Sequence, residues 1–299
     1  MRHVALVGVP LDLGAGRRGT DMGPSALRYA QLQAQLESLG YRVTDLGNVS
    51  FPVVERLEMA DPRARYADVI VRVCEELHRV VTAALVQGAL PVVLGGDHSL
   101  SLGSVAATVR QQPEAGLLWL DAHGDFNTPE TSPSGNVHGM VLACLVGVGL
   151  SPLVRVGGFG PKLRPERCAL VGVRQLDAGE RELLRASGVR VFTMKDVDRY
   201  GVGEVVARAL EAATGGGRTP VHVSLDMDVV DPAHAPGVAT PAPGGLSYRE
   251  VHLAMELVAD CGQLACVDVV EVNPILDSHN RTAQLAAELV ASALGKRIL

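Results

Sequence analysis

Cysteine is sparse in this 299-residue chain and badly spaced for structural use. The five residues, Cys74, Cys144, Cys168, Cys261 and Cys266, form no CxxC pair and leave one over. That argues against a zinc ribbon or a disulfide framework and for a reducing cytosol. Lysine is nearly absent, with Arg outnumbering Lys 24 to 3. Genome composition explains that bias, and the scarcity of asparagine fits growth at high temperature. There is no basic tract, and the net charge is −6, which argues against nucleic acid as a partner and fits a cationic substrate. Long apolar runs are missing too: the longest, over 139–150, is well short of a membrane span. Residues 1–10 read as a first strand rather than a signal peptide, because the apolar run is short and wrongly flanked. The expected location is the cytoplasm, with no membrane partner. Asparagine occurs only five times, yet Asn127, Asn136 and Asn273 all fall within the motifs described next.

What is present is an alternation of short apolar, β-branched runs with longer helical patterns. Strands are expected over 4–9, 41–46, 91–94, 116–120, 168–173, 189–192, 221–225 and 265–270. Helices are expected over 24–39, 63–87, 100–110, 178–187, 202–213, 247–259 and 281–294. Strands that are apolar throughout and separated by helices imply parallel neighbours covered on both faces. The expectation is a three-layer α/β/α architecture with a mostly parallel sheet of about eight strands. With no long linker and no fixed-period repeat, residues 1–299 read as a single domain. In such sheets ligands bind outside the carboxyl ends of the strands, where the polar motifs fall.

The strand over 116–120 runs directly into Asp121-Ala122-His123-Gly124-Asp125-Phe126-Asn127. If the chain stays extended there, residues two apart share a side, and Asp121, His123 and Asp125 converge. Three other strand ends carry Gly95-Gly96-Asp97-His98-Ser99, Asp226-Met227-Asp228 and Glu271-Val272-Asn273-Pro274. Any one of these segments could be a turn or a helix cap; their joint occurrence at four strand ends points to cations. His98, Asp121, His123, Asp125, Asp226 and Asp228 form the candidate ligand set. Its four carboxylates bring −4 and its neutral imidazoles nothing, so two divalent ions balance it. Six donors are too many for one zinc site. Oxygen donors with two imidazoles and no thiolate suit a pair of Mn²⁺, with iron, cobalt or zinc as substitutes. Asp97 is expected to orient a neighbouring group and Asp231 to shape the turn before Pro232. His3, His78, His222, His234, His252 and His279 stand outside any such context.

A polar loop follows the ligands, Thr131-Ser132-Pro133-Ser134-Gly135-Asn136-Val137-His138-Gly139, and its amides and hydroxyls can bind a carboxylate without contributing charge. His138, opening a helical segment beside the ligands, is a natural proton carrier. Asp177 and Glu180 begin the helix over 178–187, where complementing the helix dipole is an equally good explanation for each. Glu271 ends a buried strand and needs a cationic partner. With Arg174 the only basic residue nearby, the region suits a positively charged substrate better than a phosphate.

Together these segments, with Gly19-Thr20-Asp21-Met22-Gly23-Pro24-Ser25, resemble the ureohydrolase family, and within it the arginases of bacterial type, over about residues 4–295. The resemblance implies one Mn²⁺ held by His98, Asp121, Asp125 and Asp228 and a second held by Asp121, His123, Asp226 and Asp228. It implies a bridging hydroxide that attacks the guanidinium carbon of L-arginine, giving urea and ornithine. Asp125 would hold the hydroxide and pass its proton to the leaving amine, His138 would shuttle protons, and Glu271 would pair with the guanidinium. Asn127, Ser134 and Asn136 match positions that bind the α-carboxylate, and Asp177 the one facing the α-ammonium. His123, Glu180 and Thr240 match further pocket positions. Gln175 departs from the pattern, standing where some arginases have an acid. A homotrimer or homohexamer is implied as well. Agmatine, which lacks the carboxylate, is the runner-up substrate; a non-catalytic metal protein and a metallophosphoesterase are the rival classes.

Overall fold

The computed structural model describes residues 2–52 and 57–297. Eight strands form a single sheet: β1 (His3–Gly8), β2 (Arg42–Asn48), β3 (Leu90–Leu94), β4 (Gly116–Leu120), β5 (Cys168–Val173), β6 (Arg190–Thr193), β7 (Val221–Asp226) and β8 (Leu264–Val270). Their order is β2-β1-β3-β8-β7-β4-β5-β6, and every pairing is parallel. Each expected strand is found within a few residues. Among the described residues the helices are α1 (Gly23–Tyr29), α2 (Leu32–Ser38), α3 (Ala67–Val86), α4 (Ser101–Gln111), α5 (Val141–Leu145), α6 (Ser151–Val154), α7 (Ala178–Ser187), α8 (Met194–Tyr200), α9 (Val202–Thr214), α10 (Tyr248–Cys261) and α11 (Arg281–Ala293). None is long and apolar enough to cross a membrane.

Strand alternation sorts the core into two layers. On β4, Leu118 and Leu120 join one cluster with residues of α9, α10 and α11, while Leu117 and Trp119 join the other with α3, α4 and α5. All four are fully buried. The sheet therefore lies between two apolar layers, as continuous apolar strands require.

Two helix expectations change, and α6 and α8 are additions. The pattern over 24–39 is two helices, because Gln31 takes a left-handed φ of 60° and breaks the backbone ladder between α1 and α2. The helix expected from residue 63 begins at Ala67, after Tyr66 at φ 53°. Residues 194–200 form an unexpected helix, α8, although the sequence signals it: the Asp196 carboxylate accepts from Thr193 N–H at 2.8 Å, as in a capping box.

The order β3-β8-β7-β4 has a direct consequence. These four strands are neighbours, and they are the four whose carboxyl ends carry the acidic and histidine motifs. Segments far apart in sequence are thereby set side by side.

The packing of α4 on α3 depends on Gly103. A Cβ there would stand 2.5 Å from the Cys74 carbonyl oxygen, a backbone atom with little freedom to move. Replacing Gly by Ala inside a helix gains roughly 1 kcal/mol of propensity, while overpacking costs about 1–3 kcal/mol. Gly103→Ala should therefore lower stability by about 1 kcal/mol, read as a lower urea midpoint at unchanged slope; a raised midpoint would refute the close approach.

Candidate metal centre

The segment after β4 does not continue as a strand. Asp121 Oδ1 accepts the N–H of His123 at 2.7 Å, closing a tight turn, and Asp125 sits at φ 48°. The expected extended geometry is thus replaced by two bends, and the convergence of Asp121, His123 and Asp125 comes from the turn. Similarly, Asp226 ends β7 and accepts the N–H of Asp228 at 2.8 Å. His98 opens a short 3-10 turn capped by Asp97, which accepts from Ser99 N–H, Ser99 Oγ and Gly14 N–H. Asp97 thus orients neighbours, as expected, and Asp231 shapes its turn by accepting from Ala233, Gly244 and Gly245.

All six candidate ligands come together. His98 Nδ1 lies 3.2 Å from Asp121 Oδ2, 3.1 Å from Asp125 Oδ2 and 3.1 Å from Asp226 Oδ2. His123 Nδ1 lies 3.4 Å from Asp121 Oδ1 and 3.0 Å from Asp228 Oδ2. Two donor groups share Asp121: His98–Asp121–Asp125 and Asp121–His123–Asp228. The apportioning differs from the one implied by resemblance. Asp226, not Asp228, faces His98, because the strand-end residue and the one two places into the turn point to different parts of the cluster.

The donor set fits cations. His98 Nδ1 and Asp125 Oδ2 are buried and have no hydrogen-bond partner although carboxylates and imidazole crowd them. Protons take the place of positive charge. Burial, then the Asp121 charge, raises the Asp125 carboxyl from 3.8 to about 7. Burial, then Asp228 and Asp121, pushes Asp226 well up. Against the burial that opposes charge, His123 and His98 hold Asp121 well below the usual carboxylate range. Burial works against a charged His123 as well, but Asp228 and Asp121 raise it to about 12. Four carboxylates in one dry space cannot all be ionised without compensating charge.

The ligands are held from behind. The His98 ring stacks on Trp119 at 3.9 Å between centroids, and the Trp119 indole N–H donates to Asp121 Oδ2 at 3.0 Å. His98 Nε2 bonds Ser224 Oγ at 2.8 Å, which leaves Nδ1 for the cluster. Ser224 begins a buried polar row against α4. Asp268 Oδ2 accepts from Ser101 at 2.9 Å and Ser104 at 2.7 Å, and bonds His222 Nε2 at 2.9 Å. His222, Cys266 and Asp268 form a third donor group, but two of its members are already occupied by these hydrogen bonds. Arg174, beside the cluster, donates to the Asp228 carbonyl at 2.7 Å and the Ala242 carbonyl at 2.6 Å.

A cavity of about 110 Å³ opens above the cluster, lined by His123, Asp125, Asp226 and Asp228 below and by Asn127, Ser134, Asn136, His138, Asp177, Glu180 and Thr240 around it. Thr240 Oγ1 donates to Asp228 Oδ2 at 3.0 Å. Asn127 Nδ2 donates to Asp177 Oδ2 at 3.0 Å. Glu180 is nearly buried, and its two oxygens accept Phe126 N–H at 2.9 Å and Asp177 N–H at 3.0 Å. It therefore braces the ligand loop against α7. Glu271, at φ 64°, is fully buried, and its Oε1 accepts from His98 N–H at 2.9 Å and bonds His138 Nδ1 at 3.0 Å. The cationic partner it needs is thus His138, whose ring, despite burial, is raised from 6.5 to about 9 chiefly by Glu271.

Residues 2–295 match the Arginase family. The arginase of Bacillus caldovelox is 46% identical over 303 residues, covering all of both chains. The solved arginase structure from the same species superposes with a TM-score of 0.96 at 45% identity, again over all of both chains. The arginase of Bacillus subtilis (strain 168) is 46% identical over all of this chain and 99% of its own length. The chain belongs to the arginase family. It is a hydrolase of that family, and its eight-stranded parallel sheet is the family's fold.

Cation binding should stabilise the folded chain and be opposed by acid. Ligands must be deprotonated to bind; Asp125, held near 7 without a cation, binds a proton below that value and is free above it. Mn²⁺ affinity should therefore rise from pH 6 to pH 8. In calorimetric titrations Asp121→Ala, which removes the shared carboxylate, should lose affinity at least tenfold, and the rise in Tm on adding Mn²⁺ should vanish in that variant. Equal affinity at the two pH values would refute the proton–metal competition.

Proposed function

We propose that this chain hydrolyses L-arginine to L-ornithine and urea with a pair of Mn²⁺ ions held by His98, Asp121, His123, Asp125, Asp226 and Asp228. The observation that carries the reading is one cavity with Asp125, Asp226 and Asp228 on its floor and an amide- and hydroxyl-bearing rim. The name shared by its relatives points the same way. Bound there, two divalent cations supply hydroxide near neutral pH by lowering the pKa of water from 15.7 to about 7 in favourable cases.

The remaining work falls to the chain's own groups. Asp177 and Glu180 in the cavity wall favour a cationic substrate, and the lining residues include no Lys or Arg to hold a phosphate. Asp125 both belongs to the donor cluster and lines the cavity; it orients the nucleophile and hands a proton to the leaving amine. His138, also in the cavity wall, exchanges protons with solvent while Glu271 holds its Nδ1 side. Glu271 does not line the cavity, so its effect on the guanidinium is exerted through His138 and through its own charge. At the far end, Ser134 and Asn136 bind the α-carboxylate with Asn127, and Asp177 attracts the α-ammonium. A site built to bond a polar group rejects a ligand lacking it, because its own groups are left unpaired. That favours arginine over agmatine. The reading also makes the chain a single-domain cytoplasmic enzyme that assembles into a homotrimer or homohexamer.

After activation with Mn²⁺, arginine should give equimolar urea and ornithine, and agmatine far less turnover. His138→Asn should lower kcat by about 10²-fold or more, in the range for loss of a positioned proton carrier, with Mn²⁺ content unchanged by elemental analysis. Agmatine turned over as well as arginine would move the assignment to agmatinase.

A further inference from the structure

The two ends of the cavity are unlike in charge. Asp125, Asp226, Asp228 and Asp177 line the floor and one wall, whereas the other end is formed by the neutral side chains of Ser132, Ser134 and Asn136. The fold brings a cation to that neutral end from an unexpected place. The segment leading into α3 runs against the loop at 132–136: Arg65 N–H donates to the Gly135 carbonyl at 2.9 Å. Gly135, at φ 71°, approaches so closely that a Cβ there would stand 1.9 Å from the Pro62 carbonyl oxygen. The Arg65 backbone is therefore fixed beside Asn136.

From that anchor the Arg65 guanidinium reaches Asn136, with Nη1 donating to Oδ1 at 3.5 Å, and its Nε is buried without a hydrogen-bond partner. Among the described residues no carboxylate lies within ion-pair distance of Arg65. Its neighbour Arg63, by contrast, is paired with Asp61 at 3.3 Å. Two effects follow. With Oδ1 engaged by a donor, the Nδ2 group of Asn136 is the one left to donate. And the guanidinium, unmatched by any acid among the described residues, gives this end of the cavity an attraction for anions.

We infer that Arg65 is a positioning and specificity-determining residue, which orients the Asn136 amide and supplies the positive charge that selects a substrate bearing an α-carboxylate. The inference rests on the reading of the cavity as an arginine site. It gives the carboxylate end the charge that its own lining residues lack.

The test uses the full-length Mn²⁺-loaded protein with Arg65 intact and with Arg65→Met, Arg65→Gln and Arg65→Lys. Turnover is measured with arginine and agmatine, and binding of L-ornithine and putrescine by calorimetry at low and high salt. Ornithine carries the carboxylate and putrescine does not, so the binding arm is independent of catalysis. In Arg65→Met and Arg65→Gln, KM for arginine and Kd for ornithine should rise about tenfold, as for loss of a charge-assisted contact. The kcat for arginine should stay within about twofold, and agmatine and putrescine should be unaffected. Arg65→Lys should keep most of the affinity, and the salt dependence of ornithine binding should flatten in the neutral variants. Equal weakening of ornithine and putrescine, or no weakening of either, would overturn the inference. An intact protein that turns over arginine while the variants bind ornithine and turn over arginine as well as it does would sink Arg65 alone; an intact protein that gives no urea from arginine would sink the arginine reading and this inference with it.

Discussion

Four carboxylates and two imidazoles share one buried space at the carboxyl end of the sheet, and their mutual repulsion is the constraint to which the surrounding structure responds. Without compensating charge, burial and mutual repulsion push the carboxyls of Asp125 and Asp226 up, and the neighbouring carboxylates push the His123 imidazole up. Everything behind the cluster limits its freedom to spread apart. Trp119 fixes His98 by stacking and Asp121 by an indole N–H, Ser224 takes the far nitrogen of His98, and Arg174 holds the Asp228 carbonyl. Groups that would relax away from each other are kept at cation-binding distance by neighbours that cannot move.

The strain is visible in the backbone. Asp125 and Glu271 both occupy positive φ, a region that non-glycine residues enter at a cost of about 1–3 kcal/mol. Both belong to the site, and in both the unusual conformation turns the side chain back toward His98 or His138. The same principle applies to Glu180, whose two oxygens are spent on the N–H groups of Phe126 and Asp177. It reads from the sequence as a pocket residue or a dipole partner, and its geometry makes it mainly a brace.

The inner strands were legible because they are largely apolar runs, as a sheet covered on both faces requires, whereas the edge strand β2 is mostly polar and exposed. The ligand residues were legible because hard donors recur at four strand ends. What could not be read arises from contacts remote in sequence or from local backbone departures without a glycine or proline to announce them. Gln31 and Tyr66 break helices at left-handed φ while the apolar periodicity continues through them. The apportioning of Asp226 and Asp228 depends on a turn that two Asp residues at spacing two do not specify. Arg65 lies seventy-one positions from Asn136, and nothing in its own segment hints at the meeting. The helix over 194–200, by contrast, was signalled by Thr193 and Asp196.

The strand order carries one more consequence, for the time course of assembly. β3 and β4 are separated in the sheet by β8 and β7, the last two strands in the chain. His98 and Asp121 therefore cannot face Asp226 until the carboxyl-terminal third of the polypeptide has been inserted between strands made much earlier. Loop-closure entropy is spent before any ligand gains its partners, so such a topology folds slowly and closes late. A chain in which β7 and β8 are not yet seated lacks Asp226 and Asp228 from the donor set. The complete six-donor centre is thereby contingent on completion of the sheet.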